Sequence, residues 1–305
     1  MKIAIHGLGR MGMQIARKLS ESGHTVIAHN RSSQPLKEAV SYGAVAAYTK
    51  NDVLEAFNHE VVAVWLMLPS EITDNEVMEW AEVMPQGSIL INGGNSDYRR
   101  TKQLSEKVSQ KGMHLVDVGV SGGVWGYERG FPLMIGADDP SVYESLKPIF
   151  EALVVPDGAY ARYGTSGAGH YVKMVHNAIE YGMMQSLGEG YRLLHDGPYP
   201  SVDLAEAGRV WQHRSVIESW LNELTRQAVE ENPELVGIDG YVAESGEARW
   251  ALETAHQLGF NLPAIQAAFD VRLASQSGET NFATKIVAAQ RNKFGGHNLN
   301  GEGKA

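Results

Sequence analysis

The sequence predicts an α/β domain built on a parallel sheet, followed by an all-α domain with a long central helix. Two observations carry this. In the first half, short apolar runs alternate with amphipathic stretches, the pattern of parallel strands with helices on both faces of a sheet. After about Tyr163 no strand pattern returns, and residues 169–194 contain no proline, so one long helix is allowed. The predicted strands are 3–5, 25–28, 61–66, 88–91 and 115–118, each short, apolar and bounded by Gly, Asn or Pro. The helical period marks 11–22, 34–42, 52–57, 71–84 and 98–110 between them, and 201–224, 247–258, 262–275 and 281–291 after the long helix. The polar, glycine-rich end from Phe294 has the composition of a frayed terminus.

Charge and composition narrow the function classes. The 305 residues hold 36 acidic and 26 basic side chains, a net charge of −10, with no Lys/Arg block of the kind nucleic acid requires. An acidic protein that binds an anion must gather its few basic groups locally. There are no cysteines, which removes disulfides, zinc–thiolate sites and thiol catalysis. No carboxylate or histidine cluster has metal-ligand spacing, so no metal is expected. With no signal-peptide pattern and no apolar run of membrane length, the expectation is a cytoplasmic protein with no membrane or nucleic-acid partner.

The opening strand runs into Gly7-Leu8-Gly9-Arg10-Met11-Gly12, a G-x-G-x-x-G that also starts a helix. The spacing alone is weak among 33 glycines; its placement between strand and helix is what gives it force. The first glycine permits the tight turn, the second admits a pyrophosphate to the backbone N–H groups, and the third lets helix pack on strand. Residues 1–164 are therefore expected to form a Rossmann-type dinucleotide domain. At the end of the second strand an NAD site carries an acid for the ribose 2′-hydroxyl. Here the sequence reads His29-Asn30-Arg31-Ser32, with no acid, and Arg31 can pair with a 2′-phosphate. NADP is expected ahead of NAD, the alternative being that Arg31 is a solvated loop residue. Leu68 and Pro69, after the third predicted strand, and Asn95 are assigned to the same cofactor site.

The long helix carries the reactive side chains. Lys173, Asn177 and Glu180 stand at i, i+4 and i+7 on one face, with His176 and Tyr181 at its edges and Val172, Val175, Ile179 and Met183 opposite. A solvated Lys–Glu face is the bland alternative. Two glycine loops that follow predicted strands favour a site instead: Asn92-Gly-Gly-Asn95-Ser96 and Gly119-Val-Ser121-Gly122-Gly123. Ligands of such sheets bind beyond the carboxyl ends of the strands, where Asn95 and Ser121 supply donors.

These pieces resemble the 6-phosphogluconate dehydrogenases of the β-hydroxyacid dehydrogenase superfamily. The resemblance rests on G-L-G-R-M-G at 7–12, G-G-N-S at 93–96, G-V-S-G-G at 119–123, K-M-V-H-N-A-I-E-Y-G at 173–182 and Q-R-N-K-F-G-G-H at 290–297, and the length is similar to the family's short form. It implies oxidative decarboxylation of a gluconate with an anionic group at C6, with Lys173 as base, Glu180 as acid, and Asn177 and His176 beside them. Asn95, Ser121, Gly122, Gly123, His176 and Asn177 would hold the carboxylate and hydroxyls. Tyr181, Arg249, Arg291 and His297 would hold the C6 anion. It further implies a homodimer or higher homo-oligomer, in which the tail at 290–305 of one subunit completes the neighbour's site. Residues 165–305 would form the helical substrate and dimerisation domain.

One segment departs from the family. Position 218 should be arginine and is Glu218, while Arg214 stands one predicted helical turn before it. Either Arg214 replaces the missing guanidinium, or the pocket takes another C6 group, such as the sulfonate of 6-deoxy-6-sulfogluconate. A β-hydroxyacid dehydrogenase without decarboxylation and a non-catalytic NADP-binding protein remain as alternatives of other classes. Neither explains the His-Asn-x-x-Glu-Tyr run.

Overall fold

The computed structural model describes residues 1–301. The chain divides into two compact units, Met1–Lys173 and Met174 onward.

Unit one alternates strand and helix as follows: β1 (Lys2–His6), α1 (Arg10–Glu21), β2 (Thr25–His29), α2 (Ser33–Ser41), β3 (Val45–Ala47), α3 (Lys50–Ala56), β4 (Ala63–Leu66), α4 (Ser70–Val83), β5 (Ile89–Asn92), α5 (Tyr98–Gln110), β6 (His114–Val120), α6 (Gly126–Arg129), β7 (Leu133–Ala137), α7 (Pro140–Leu153) and β8 (Tyr160–Gly164). Among the described residues the sheet has eight strands in the order β3-β2-β1-β4-β5-β6-β7-β8. Neighbours run parallel except β6 and β7, which pair antiparallel. This is the predicted Rossmann-type α/β fold. The order reverses between β1 and β4, which opens the crevice where such sheets bind ligands. Alternate residues of β1 serve the two faces: Ile3 and Ile5 join the core with α1 and α7, whereas Ala4 joins the core with α3, α4 and α5.

The sequence reading missed β3 and the whole run β7–α7–β8. β3 is only three residues long. α7 is capped by Asp139, has Pro140 in its first turn and accommodates Pro148 in its interior.

The helices of unit two begin with α8 (Ala168–His195), whose first residues belong to unit one, and continue with α9 (Leu204–Trp211), α10 (Trp220–Glu231), α11 (Glu247–Gln257), α12 (Pro263–Gln276) and α13 (Phe282–Gly295). Their core includes Met184, Tyr191, Leu204, Val229, Phe282 and Ile286. The single helix expected over 201–224 is not there. Arg214 adopts a left-handed φ of 64°, which no α-helix accommodates, and Ser219 starts α10 by accepting a hydrogen bond from the Asn222 N–H at 3.1 Å.

One further expectation changes at the end of the chain. Residues up to 301 do not fray. Asn300 Oδ1 accepts from the Asp239 N–H at 3.0 Å, Asp239 accepts from the Gly301 N–H at 3.0 Å, and Leu299 packs against the helical core. These bonds tie the described tail to residues of its own chain. The last four residues of the expected tail, 302–305, lie outside the described residues.

Candidate active site

The turn after β1 is built around Gly7, which has a φ of 98° and donates its N–H to His29 O at 3.0 Å. A Cβ there would come within 2.5 Å of Met67 O and 2.8 Å of Leu68 Cδ2, so only glycine lets the exits of β1 and β4 pack this closely. Gly12 closes the turn, because its own Cβ would lie 2.0 Å from Gly7 O. Gly9, by contrast, has open space around it and heads α1 with no side chain capping the helix. A backbone N-terminus with room in front of it suits a pyrophosphate. Arg10 is exposed and Met11 half-buried at the start of α1.

Asn30 ties the second strand to this turn. Its Oδ1 accepts from the Leu8 N–H at 3.0 Å, and its Nδ2 donates to Ser32 O at 3.2 Å and Ser32 Oγ at 3.0 Å. Arg31 and Ser32 are exposed beside it, with no acid at the strand end. Leu68 is half-buried and Pro69 precedes α4. The glycine turn, the open α1 start and the acid-free loop all fit a nicotinamide dinucleotide.

The neighbouring strand exits supply the next layer. A Cβ on Gly94 would lie 2.7 Å from Leu68 O, so the loop carrying Asn95 rests on the β4 exit. Asn92 shapes that loop by accepting from the Gly94 N–H at 3.1 Å and donating to Ser96 Oγ at 3.2 Å. After β6, the Ser121 N–H donates to Pro132 O at 3.0 Å, and Gly122 and Gly123 turn with φ of 109° and 57°.

Lys173 is seated against β6. A Cβ on Gly119 would come 2.3 Å from Lys173 Cβ, so the missing methyl is the space the lysine stem uses. Earlier in the same strand, the buried Asp117 carboxylate accepts from the N–H groups of Gly167 and His170, both at 2.7 Å. It caps the first turn of α8, within unit one. His170 is itself buried and meets Thr101 Oγ1 at 2.8 Å; burial pushes its pKa down and keeps it neutral. Asp117 and His170 are not singled out by the sequence, since a carboxylate inside a strand signals nothing until its partner helix is known.

Further along α8, His176 Nδ1 donates to Asn177 Oδ1 at 2.8 Å and lies 3.9 Å from Glu180 Oε2. Asn177 Nδ2 donates to Glu247 Oε1 at 2.6 Å. Tyr181 is buried, its hydroxyl accepting from the Ser245 N–H at 3.3 Å. The Arg272 guanidinium lies 3.3 Å from the centre of the Tyr181 ring. Arg272 and Arg291 are 4% and 6% exposed, deeper than arginine is normally found. Burial pushes Arg272 down to about 10 and lowers Arg291 too, against the raising influence of Tyr181, Glu180 and Glu247 on each. Two buried cations near one another, with no carboxylate among the described residues closed on either, form a cluster that could hold an anion.

The structure thus gathers Asn177, Tyr181 and Arg291 with two residues the sequence reading missed, Arg272 and Glu247. An arginine between Val271 and Leu273 in an apolar helix was the available signal. Within this chain Arg291, on α13, lies near enough to Tyr181 to feel its charge. Other expected ligands stand elsewhere. Arg249 is exposed and paired with Glu244 at 2.6 Å. Arg214 and Glu218 are exposed in the turn between α9 and α10, where the Glu218 carboxylate accepts from the Arg214 backbone N–H at 3.0 Å. Glu218 therefore serves as a turn cap, and neither residue stands on a helix. His297 is half-buried and folded back on α13, its carbonyl accepting from Asn292 Nδ2 at 2.8 Å.

Residues 2–156 match the family model described as the NAD binding domain of 6-phosphogluconate dehydrogenase, and 169–302 match that of its C-terminal domain. The chain belongs to the 6-phosphogluconate dehydrogenase family. It is 35% identical to YqeC of Bacillus subtilis over 97% of this chain and 98% of that one. It is 32% identical to the NAD(+)-dependent, decarboxylating 6-phosphogluconate dehydrogenase of Haloferax volcanii, over 98% of each. Among solved structures, the Plasmodium falciparum 6-phosphogluconate dehydrogenase superposes with a TM-score of 0.80 at 22% identity, over 95% of this chain and 70% of that one. The chain is accordingly an NAD(P)-dependent dehydrogenase. Among the described residues no three His, Asp or Glu side chains gather to hold a metal, and no helix is long and apolar enough to cross a membrane.

Proposed function

We propose that this dehydrogenase oxidises and decarboxylates a six-carbon sugar acid with an anion at C6, 6-phosphogluconate being the first candidate. The observation that carries the reading is helix α8, which presents Lys173, Asn177 and Glu180 on one face and ends that face at Tyr181 beside Arg272 and Arg291. The bound dinucleotide supplies the two-electron acceptor. Lys173 takes the proton of the substrate 3-hydroxyl as the C3–H bond breaks, leaving a 3-keto acid. That β-keto acid loses CO2 because its carbonyl accepts the electrons of the breaking C–C bond. Glu180 then protonates C1 of the enediol. Asn95, Ser121, Gly122, Gly123, His176 and Asn177 orient the carboxylate and hydroxyls.

Arg31 and Ser32 favour NADP, although the Haloferax relative is NAD(+)-dependent. A sulfonate at C6 is the second reading. The 214/218 exchange does not support it, since both residues are exposed, but the buried Glu247 carboxylate, which pairs with neither arginine, still lowers the positive charge felt around both and suits a singly charged group. We further propose a homodimer, in which the exposed row Val175, Ile179 and Met183 on α8 is covered by a second copy.

Initial rates with NADP and NAD, against 6-phosphogluconate and 6-deoxy-6-sulfogluconate with CO2 release followed, test the reading. Turnover with stoichiometric CO2 supports it, and the preferred substrate names the C6 group. Tight dinucleotide binding without turnover of either sugar acid refutes it. An Arg31→Ala variant should lose NADP affinity about 10- to 100-fold and leave NAD nearly unchanged.

A further inference from the structure

Glu247 occupies the first turn of α11, after Gly246, and is 4% exposed. One of its oxygens, Oε1, accepts from Asn177 Nδ2 at 2.6 Å. The other, Oε2, is buried and has no hydrogen-bond partner. A buried carboxylate oxygen left unpaired is costly, and native proteins keep such a group when something else fills the place. The neighbouring cations do not fill it. Arg272 lies over the Tyr181 ring, and no ion pair among the described residues joins Glu247 to Arg272 or Arg291. An anion cannot occupy that place, because a second negative oxygen would face the carboxylate. Only a donor can.

We propose that Glu247 is a specificity-determining residue whose free oxygen accepts a hydrogen bond from a substrate hydroxyl on one of the two carbons next to the anionic terminus. The inference rests on the sugar-acid reading above and deepens it. The arginines take the terminal anion, Asn177 is held by the same carboxylate, and Glu247 reads whether the carbon chain beside the anion is hydroxylated. A site that buries an acceptor for a hydroxyl rejects the analogue lacking it, because the acceptor then stays unpaired. Small β-hydroxy acids without a hydroxylated chain are thereby excluded.

The test measures kcat/KM of the wild type and Glu247→Gln on 6-phosphogluconate and on its 4-deoxy and 5-deoxy analogues. The glutamine amide would keep the bond from Asn177 but present a donor where the acceptor was, so 6-phosphogluconate should lose about 10- to 100-fold. Wild type should lose a similar factor on one of the two deoxy analogues, and on that analogue the substitution should cost less than about 3-fold. Unchanged dinucleotide affinity reports that the variant is folded, and the wild-type arm stands even if it is not. Equal loss on all three substrates, or a wild type indifferent to both missing hydroxyls, overturns the role of Glu247 alone. A wild type that turns over none of the three overturns the sugar-acid reading with it.

Discussion

His6 makes the stability of the dinucleotide unit depend on pH in a way that can be worked out in advance. The side chain ends β1, 8% exposed, with Nδ1 accepting from Trp80 Nε1 at 3.0 Å. The His29 ring lies 4.6 Å away, and the Lys50 ammonium near it is paired with Glu76 at 3.0 Å. Burial, then His29, then Lys50 push the His6 pKa from 6.5 down to about 3. The unfolded chain takes up a proton at this position below pH 6.5, whereas the folded chain refuses it until far lower. The contribution is therefore fully present above pH 6.5 and is lost progressively as the pH falls toward 3. A pH of 5 lies about 1.5 units below the pKa of the unfolded chain, which converts to about 2 kcal/mol of stability lost relative to pH 7.5. Urea unfolding of wild type and His6→Leu at the two pH values isolates this amount. Leucine leaves the Trp80 N–H unpaired and costs about 1–3 kcal/mol, but equally at both pH values. The wild type should lose about 2 kcal/mol more than the variant on acidification. Equal losses would show that His6 titrates normally in the folded protein and would refute the argument.

Other perturbations have equally definite outcomes. Gly119→Ala forces a methyl to within 2.3 Å of Lys173 Cβ, so kcat should fall at least about tenfold while dinucleotide affinity, measured by titration calorimetry, stays within about twofold. Arg272→Met removes a buried guanidinium that contacts Tyr181; KM for the C6-anionic acid should rise about 10- to 100-fold, and an unchanged KM would remove Arg272 from the anion subsite. His195 bonds Asp196 at 2.7 Å and Glu234 at 3.1 Å, and these hold its pKa up, the Asp196 bond first. Its stabilisation is full below pH 6.5 and lost as the pH rises through the raised value, so His195→Gln should lower the thermal midpoint at pH 6 and barely at pH 9. Ile179→Glu places a charge in the exposed α8 row and should shift sedimentation from dimer to monomer; an unaltered dimer would locate the interface elsewhere.

Patterns confined to one element are legible in the sequence itself. The glycine fingerprint lies within ten residues of β1, and the Lys173–Asn177–Glu180 face needs only the helical period. What could not be read depends on distant chain. Asp117 looks like one polar residue in an apolar strand until α8 arrives to be capped. Arg272 and Glu247 come from separate helices, and neither follows a motif. Arg214 and Glu218 were misplaced for a local reason: nothing in Gln-His-Arg-Ser-Val-Ile announces a left-handed residue, which is usually glycine or asparagine. In the run β7–α7–β8 the two strands are five residues each, and Pro148 interrupts the helical pattern of α7.

The double role of Asn30 bears on any attempt to redesign the coenzyme preference. Its amide nitrogen organises Ser32, in the loop proposed to receive the adenosine ribose, while its carbonyl oxygen holds the Leu8 N–H of the glycine turn. Replacing it with an acid to recruit NAD would keep an acceptor for Leu8 but surrender both bonds to Ser32 and put a negative charge next to the pyrophosphate turn. Selection for a new coenzyme should therefore move through Arg31 and Ser32 first, with Asn30 among the last positions free to drift.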